Sequence, residues 1–138
     1  MKYLCMAYEE EGKLNALSER EWHALRKETL DYVERLRTSG RLILTHPLQS
    51  AITASTVRIR DGKRSVTDGP FTETKETLGG FFLIEATDIQ EAIAIAADWP
   101  SARIGSIEVR PIEDGLKMDR RYRAVPSPGA DGGRASGA

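Results

Sequence analysis

The stretch "LSEREWHALRKETLDYVERLRTSG", residues 17 to 40, constrains the fold of this chain more than any other. Trp22, Leu25, Thr29, Tyr32, Val33 and Leu36 recur at three- and four-residue spacing, which puts them on one stripe of an α-helix. Ser18 and Glu21 stand three apart at its start, the spacing of a capping box in which each side chain satisfies a free backbone N–H. Gly40 follows the last stripe residue and ends the helix. A helix with one apolar stripe is not stable by itself in water, so the rest of the chain must supply a surface to cover it.

Strands supply that surface. "KYLCMAY", residues 2 to 8, is a short apolar run that reads as a central strand buried on both faces. "RLILTH", residues 41 to 46, is a second strand stopped by Pro47. In "STVRIRDGKRSVTDG", Val57 and Ile59 alternate with Thr56, Arg58 and Arg60, and Asp61-Gly62 is a hairpin turn signal. "GGFFLIEA" is a further core strand, and "TDIQEAIAIAADWP" a second helix capped by Asp88 and Glu91 and stopped by Pro100. "GSIEVRPI", residues 105 to 112, closes the series as a half-exposed strand. The order strand, helix, strand, hairpin insertion, strand, helix, strand predicts an α+β fold: a split β-α-β antiparallel sheet with two helices on one face. The opposite face has no cover of its own, so a homodimer packing sheet against sheet is expected.

The domain should span residues 1–113, and 138 residues leave no room for a second one. Residues 114–138 are poor in apolar residues and rich in Gly, Pro, Ser and Ala, and read as a flexible, largely disordered tail. The basic cluster "KMDRRYR" within it reads as solvated chain. A net charge of −1 offers no field to draw in nucleic acid or an anionic membrane. The one cysteine, Cys5, excludes an internal disulfide, and "MKYLCMAYEEEGK" does not resemble a secretory leader. A cytoplasmic protein is expected. No segment has the run of apolar residues a membrane span needs. Two histidines and one cysteine do not make a closed zinc set, no Gly-rich phosphate loop joins a strand to a helix, and no cofactor is implied.

"ASTVRIRDGKRSVTDGPF", "TETKETLGGFFLIEATDIQEAIAIAADWP" and "IEVRPI", with "MKYLCMAY" ahead of them, resemble the DGPF-domain branch of the YCII-related proteins over about residues 1 to 112. The resemblance implies a ferredoxin-like fold of the dimeric α/β-barrel type and says little about activity. Within the wider superfamily it points to enzymes, one of which removes chloride from a hydroxylated aromatic, with a His-Asp pair as the proposed centre. It also implies a link to an extracytoplasmic-function sigma factor, hence a regulatory or stress-linked setting.

The segment "DGPFTETKET" sets turn residues and a polar, charged run against a core strand. Asp68 is either a turn residue, bonding the backbone ahead of it, or a carboxylate at the lip of a cleft. His46, at a strand end before Pro47, is its best partner for proton transfer, although a strand-end histidine is more often a hydrogen-bonded structural residue. His23 matches the helical position of the superfamily's histidine, but helical geometry points it away from the apolar stripe. Phe71 would serve as an apolar wall or a loop anchor, Glu73 and Lys75 as polar rim, and Arg58 as a second cation for an anionic ligand. Gly79-Gly80 permits close backbone approach or positive φ behind that loop. Two functions follow: a regulatory domain that binds an unidentified small molecule without turnover, or an enzyme using Asp68 with a histidine on a small substrate, aromatic or not. A structural partner for another protein is the third and weakest reading.

Overall fold

A computed structural model of the chain describes residues 1–113 and Gly115. The expected tail, apart from Gly115, and its basic cluster at 117–123 lie outside the described residues. Four strands, β1 (Lys2–Glu9), β2 (Leu42–Pro47), β5 (Thr77–Glu85) and β6 (Ser106–Pro111), pair antiparallel in the order β2-β5-β1-β6. Between β2 and β5 the chain inserts a separate hairpin, β3 (Ser55–Arg60) and β4 (Lys63–Asp68). Helices α2 (Glu19–Thr38) and α3 (Ile89–Ala97) complete the split β-α-β arrangement, and a short α1 (Glu11–Asn15) precedes α2. Among the described residues no helix is long and apolar enough to cross a membrane.

Both ends of α2 follow from its sequence. Glu21 N–H donates to Ser18 Oγ at 3.1 Å, and Ser18 N–H donates to Glu21 Oε1 at 2.8 Å, closing the capping box. At the other end Gly40 takes φ +78°, a conformation that suits glycine. Gly40 N–H donates to the Arg37 carbonyl and Arg41 N–H to the Leu36 carbonyl, both at 3.0 Å, the paired bonds of a Schellman motif. Ser18→Ala is expected to cost about 1 kcal/mol. Thermal melts should show a drop of roughly 4 °C. Ser18→Gly should lose only a few tenths of that energy. An unchanged melt for Ser18→Ala would mean that the cap contributes nothing.

The core lies between the sheet and the helices. Tyr3 and Cys5 of β1 and Phe82 and Ile84 of β5 meet Tyr32, Val33 and Leu36 of α2 and Ala92, Ile95 and Ala96 of α3. Trp99 stacks on Phe82 with ring centres 3.9 Å apart and planes within 8°. It also meets Tyr32 edge-on at 5.9 Å. The Tyr32 hydroxyl donates to the Ile95 carbonyl at 2.7 Å, tying α2 to α3. Burial, with a smaller push from Asp98, raises that phenol to about 12, which keeps it a donor across the working range. Burial likewise raises the Cys5 thiol to about 12, so it behaves as a small apolar group.

Three features depart from the sequence reading. β1 is central, but only its Tyr3, Cys5 and Ala7 row is buried; Leu4, Met6 and Tyr8 face the uncovered side and stay half-exposed. The "EEEGK" after β1 winds into α1, a third helix the spacing of apolar residues does not announce. The stripe on α2 is only half used. Tyr32, Val33 and Leu36 are buried, whereas Trp22 is 44% exposed and Leu25 and Thr29 are half-buried. The hairpin turns as expected, with positive φ at Asp61 (51°) and Gly62 (74°), yet Val57, Ile59 and Val66 remain exposed on it.

Candidate functional site

The inward row of β1 runs Tyr3, Cys5, Ala7, and the period of two carries it on to Glu9 at the strand end. There the pairing with β5 slips: Ala7 faces Gly80 and Tyr8 faces Leu78, so Gly79 is an extra, bulged residue. A side chain at position 79 would overlap the Glu9 carboxylate. One at position 80 would lie 3.0 Å from the His46 carbonyl oxygen. The glycine pair therefore provides close approach: one member makes room for an acid, the other lets β2 pack onto β5.

Glu11, at the start of α1, reaches across to the turn after β2. It accepts from Ala51 N–H at 2.8 Å, from Ser50 Oγ at 2.7 Å and from Thr77 Oγ1 at 3.5 Å. The Ala51 N–H, then the Ser50 hydroxyl, hold this carboxyl below its ordinary range. Glu9 is the opposite case. Its side chain makes no hydrogen bond or ion pair among the described residues, and burial, then the Glu11 charge, push its carboxyl upward. Two acids in one corner are thus driven apart in acidity, a pattern that recurs where one group must hold a proton and its neighbour a charge.

This corner is the floor of an open cleft of about 1050 Å³ between the N-terminal half of α2 and the β1–β5–β2 side of the sheet. Trp22, Leu25 and Leu30 of α2 form one wall, Pro47 and Leu48 another, and the two glycines part of the base, with the fully buried Phe82 beneath. Glu19, Arg26 and Arg37 also border it. The exposed half of the α2 stripe is exposed because it faces this space. The volume sits at the upper end of the range for small-ligand sites, about 300–1,000 Å³.

Of the candidate catalytic and ligand-binding residues named from sequence, His46 alone borders this cleft, beside the Gly79-Gly80 pair and with its ring 6.0 Å from that of Phe81. Asp68 ends β4 opposite Ser55 and is exposed. The turn that follows it is held by Gly69 N–H donating to the Ala54 carbonyl at 2.7 Å and Thr56 Oγ1 donating to the Gly69 carbonyl at 2.9 Å. Gly69 has φ +98°, which accounts for the Asp-Gly pair as turn chemistry. His23 is exposed on α2. No hydrogen bond or ion pair among the described residues joins Asp68 to either histidine. The guanidinium of Arg58 lies over the Phe71 ring at 5.0 Å, so these two meet as a surface cation–π pair. Lys75 stands 4.0 Å from Glu10, and Glu73 is exposed. None of these groups on the hairpin and the DGPF loop lines the cleft, although Lys75 reaches Glu10, which stands between the two cleft acids.

Residues 1–115 match the family model of the YCII-related domain. The chain belongs to the YCII-related family. An uncharacterized protein of Rhizobium meliloti (strain 1021) is 34% identical over 114 residues, spanning 81% of this chain and 92% of that protein. Among solved structures, the YCII-related chain is similar to the 5-chloro-2-hydroxyhydroquinone dehydrochlorinase from Burkholderia phenoliruptrix AC1100, in complex with 2,5-dihydroxybenzoquinone. The TM-score is 0.52 at 18% identity, over 83% of this chain and 96% of that one. At that identity the likeness concerns the fold, and it agrees with the mixed antiparallel arrangement described above.

Glu9, Glu11 and Trp22 went unnoticed as site residues in the sequence, and Glu9 carried two signals. Glu9 continues the inward parity of a buried strand, where an acid is out of place. The double glycine seventy residues later marks where a backbone must leave room.

Proposed function

We propose that this YCII-related protein is a small-molecule-binding domain whose ligand occupies the cleft between α2 and the sheet. One observation carries the reading: half of an apolar helix stripe is turned toward an open, water-accessible hollow. A soluble domain keeps such surface when something else covers it. The half-buried sheet face bearing Leu4, Met6, Phe81 and Leu83 supports a homodimer, and the buried lone thiol suits a reducing cytoplasm. The regulatory setting beside an extracytoplasmic-function sigma factor rests on resemblance to the DGPF branch.

The test is a fragment screen read by amide chemical-shift mapping. Bound fragments should shift Ala7, Glu9, Thr45, Gly79 and Gly80, and Leu25→Trp, which fills the hollow, should weaken them at least tenfold. Shifts confined to the hairpin and the DGPF loop would move the site to Asp68, Arg58, Phe71 and Lys75 and overturn this assignment.

A second reading, an acid–base enzyme, draws support from the opposed acidities of Glu9 and Glu11. In it Glu9 carries the proton that the sequence assigned to Asp68 and a histidine. Turnover of a screened ligand that survives Glu9→Gln would remove that role.

A further inference from the structure

The cleft holds an unanswered charge. Glu9 is half-buried at its floor, held beside a bulged glycine whose missing side chain makes the space it occupies. Its neighbour Glu11 has spent its oxygens on Ala51, Ser50 and Thr77, so it stays as a fixed negative charge with little left to accept. Glu9 is thus the open acceptor of the site, and burying an acceptor without a donor is unfavourable.

The charged and titratable groups that line the cleft are Glu9, Glu11, Glu19, Arg26, Arg37 and His46. Three carboxylates stand against two guanidiniums, and Arg37 is already engaged by Glu34 at 3.4 Å. Arg26 is exposed on α2, where water screens it, whereas Glu9 lies where the medium is less polar and each charge counts for more. The floor decides the preference, and the floor is acidic.

Resting on the ligand cleft argued above, we propose that it takes a small organic ammonium, its cationic head on the Glu9 carboxylate beside the Gly79 bulge and its apolar body along Trp22 and Leu25. The head supplies the donor that no described protein group gives the carboxylate, and the body covers the unburied half of the α2 stripe. Such binding needs Glu9 ionised. Burial and the Glu11 charge favour the protonated form, so affinity rises with pH through the titration of Glu9 and levels off above it.

Three probes of one shape and different charge test this on the full chain: phenethylammonium, 2-phenylethanol and 3-phenylpropanoate, titrated at low salt with amide shift mapping. Phenethylammonium should bind about tenfold more tightly than the alcohol, as hydrogen bonds to charged groups do, and the carboxylate most weakly. Glu9→Gln should erase the preference and its pH dependence while the alcohol still binds. Gly79→Ala, which displaces the carboxylate without removing its charge, should also erase the preference. Equal binding of all three probes at the cleft amides overturns the charge assignment and leaves the cleft as a ligand site. If neither these probes nor any screened fragment shifts a cleft amide, the ligand site itself falls, and this inference with it.

Discussion

Phe82→Ala is expected to lose about 3–5 kcal/mol of stability, the largest single-residue effect in the domain. Phe82 sits on β5, inside the sheet between β1 and β2, and none of its surface reaches water. Its ring is one of three that run from sheet to helices: Phe82 stacks on Trp99, Trp99 abuts Tyr32, and Tyr32 bonds to Ile95. Cutting it to a methyl group removes its own burial and strips Trp99 of the ring it lies against. The surroundings have little freedom to close the gap, because Cys5 and Thr45 flank it in fixed register. Against the roughly 5–15 kcal/mol that typically holds a domain together, this is at least about a fifth of the total. A fall of roughly 10–20 °C in melting temperature should follow. Phe82→Leu should lose much less, since it keeps most of the volume. A Phe82→Ala melt within two or three degrees of wild type, about 1 kcal/mol or less, would show that the ring ladder is not what joins the layers.

The second large effect comes from a glycine that looks interchangeable with another. Gly105 precedes β6, and a side chain there would overlap the carbonyl oxygen of Tyr8. Tyr8 belongs to β1, which is paired on both sides and has no direction in which to yield. Gly105→Ala should therefore cost about 3 kcal/mol, the upper end for forcing a methyl group into packed structure. Gly79→Ala presents an equally close overlap, but with the outer atoms of the Glu9 side chain, which can swing aside. It should melt within a few degrees of wild type and show its effect in ligand preference instead. Denaturant unfolding of the two variants side by side decides this. Equal stability losses would mean that the Glu9 side chain is as immovable as backbone.

The acid pair adds a pH dependence of known sign. Glu11 is held below its ordinary range by bonds made only in the folded chain. Its contribution is complete above the unfolded carboxylate's titration and disappears as pH falls through the lower, folded value. Glu9, shifted upward, works the other way: folding is hindered by its charge, and that penalty fades as it takes a proton.

Much of this fold could be read from local pattern. The limits of α2 were written in Ser18, Glu21 and Gly40, because caps act within a few residues and need no distant partner. The hairpin was written in Asp61-Gly62, and the end of the DGPF turn in Gly69, since positive φ is a local demand. Alternation and spacing placed four sheet strands and two helices in order, and the motifs matched the family. That chemistry belongs to neighbours along the chain, and a sequence records neighbours directly.

The site was another matter. Nothing local says that Tyr32, Val33 and Leu36 are covered while Trp22 and Leu25, on the same stripe, are not; that depends on where the sheet ends beneath the helix. Nor does the chain announce that Glu9 will lie against Gly79. Their meeting requires β5 to pair with β1 in one register and to bulge by one residue at Gly79. Polar groups in "DGPFTETKET" drew attention because they stood together in sequence, but the fold set them on a turn and an exposed loop. Order along the chain settled which elements form. Register and packing across it settled which residues share a hollow, because those depend on contacts between segments far apart in the chain.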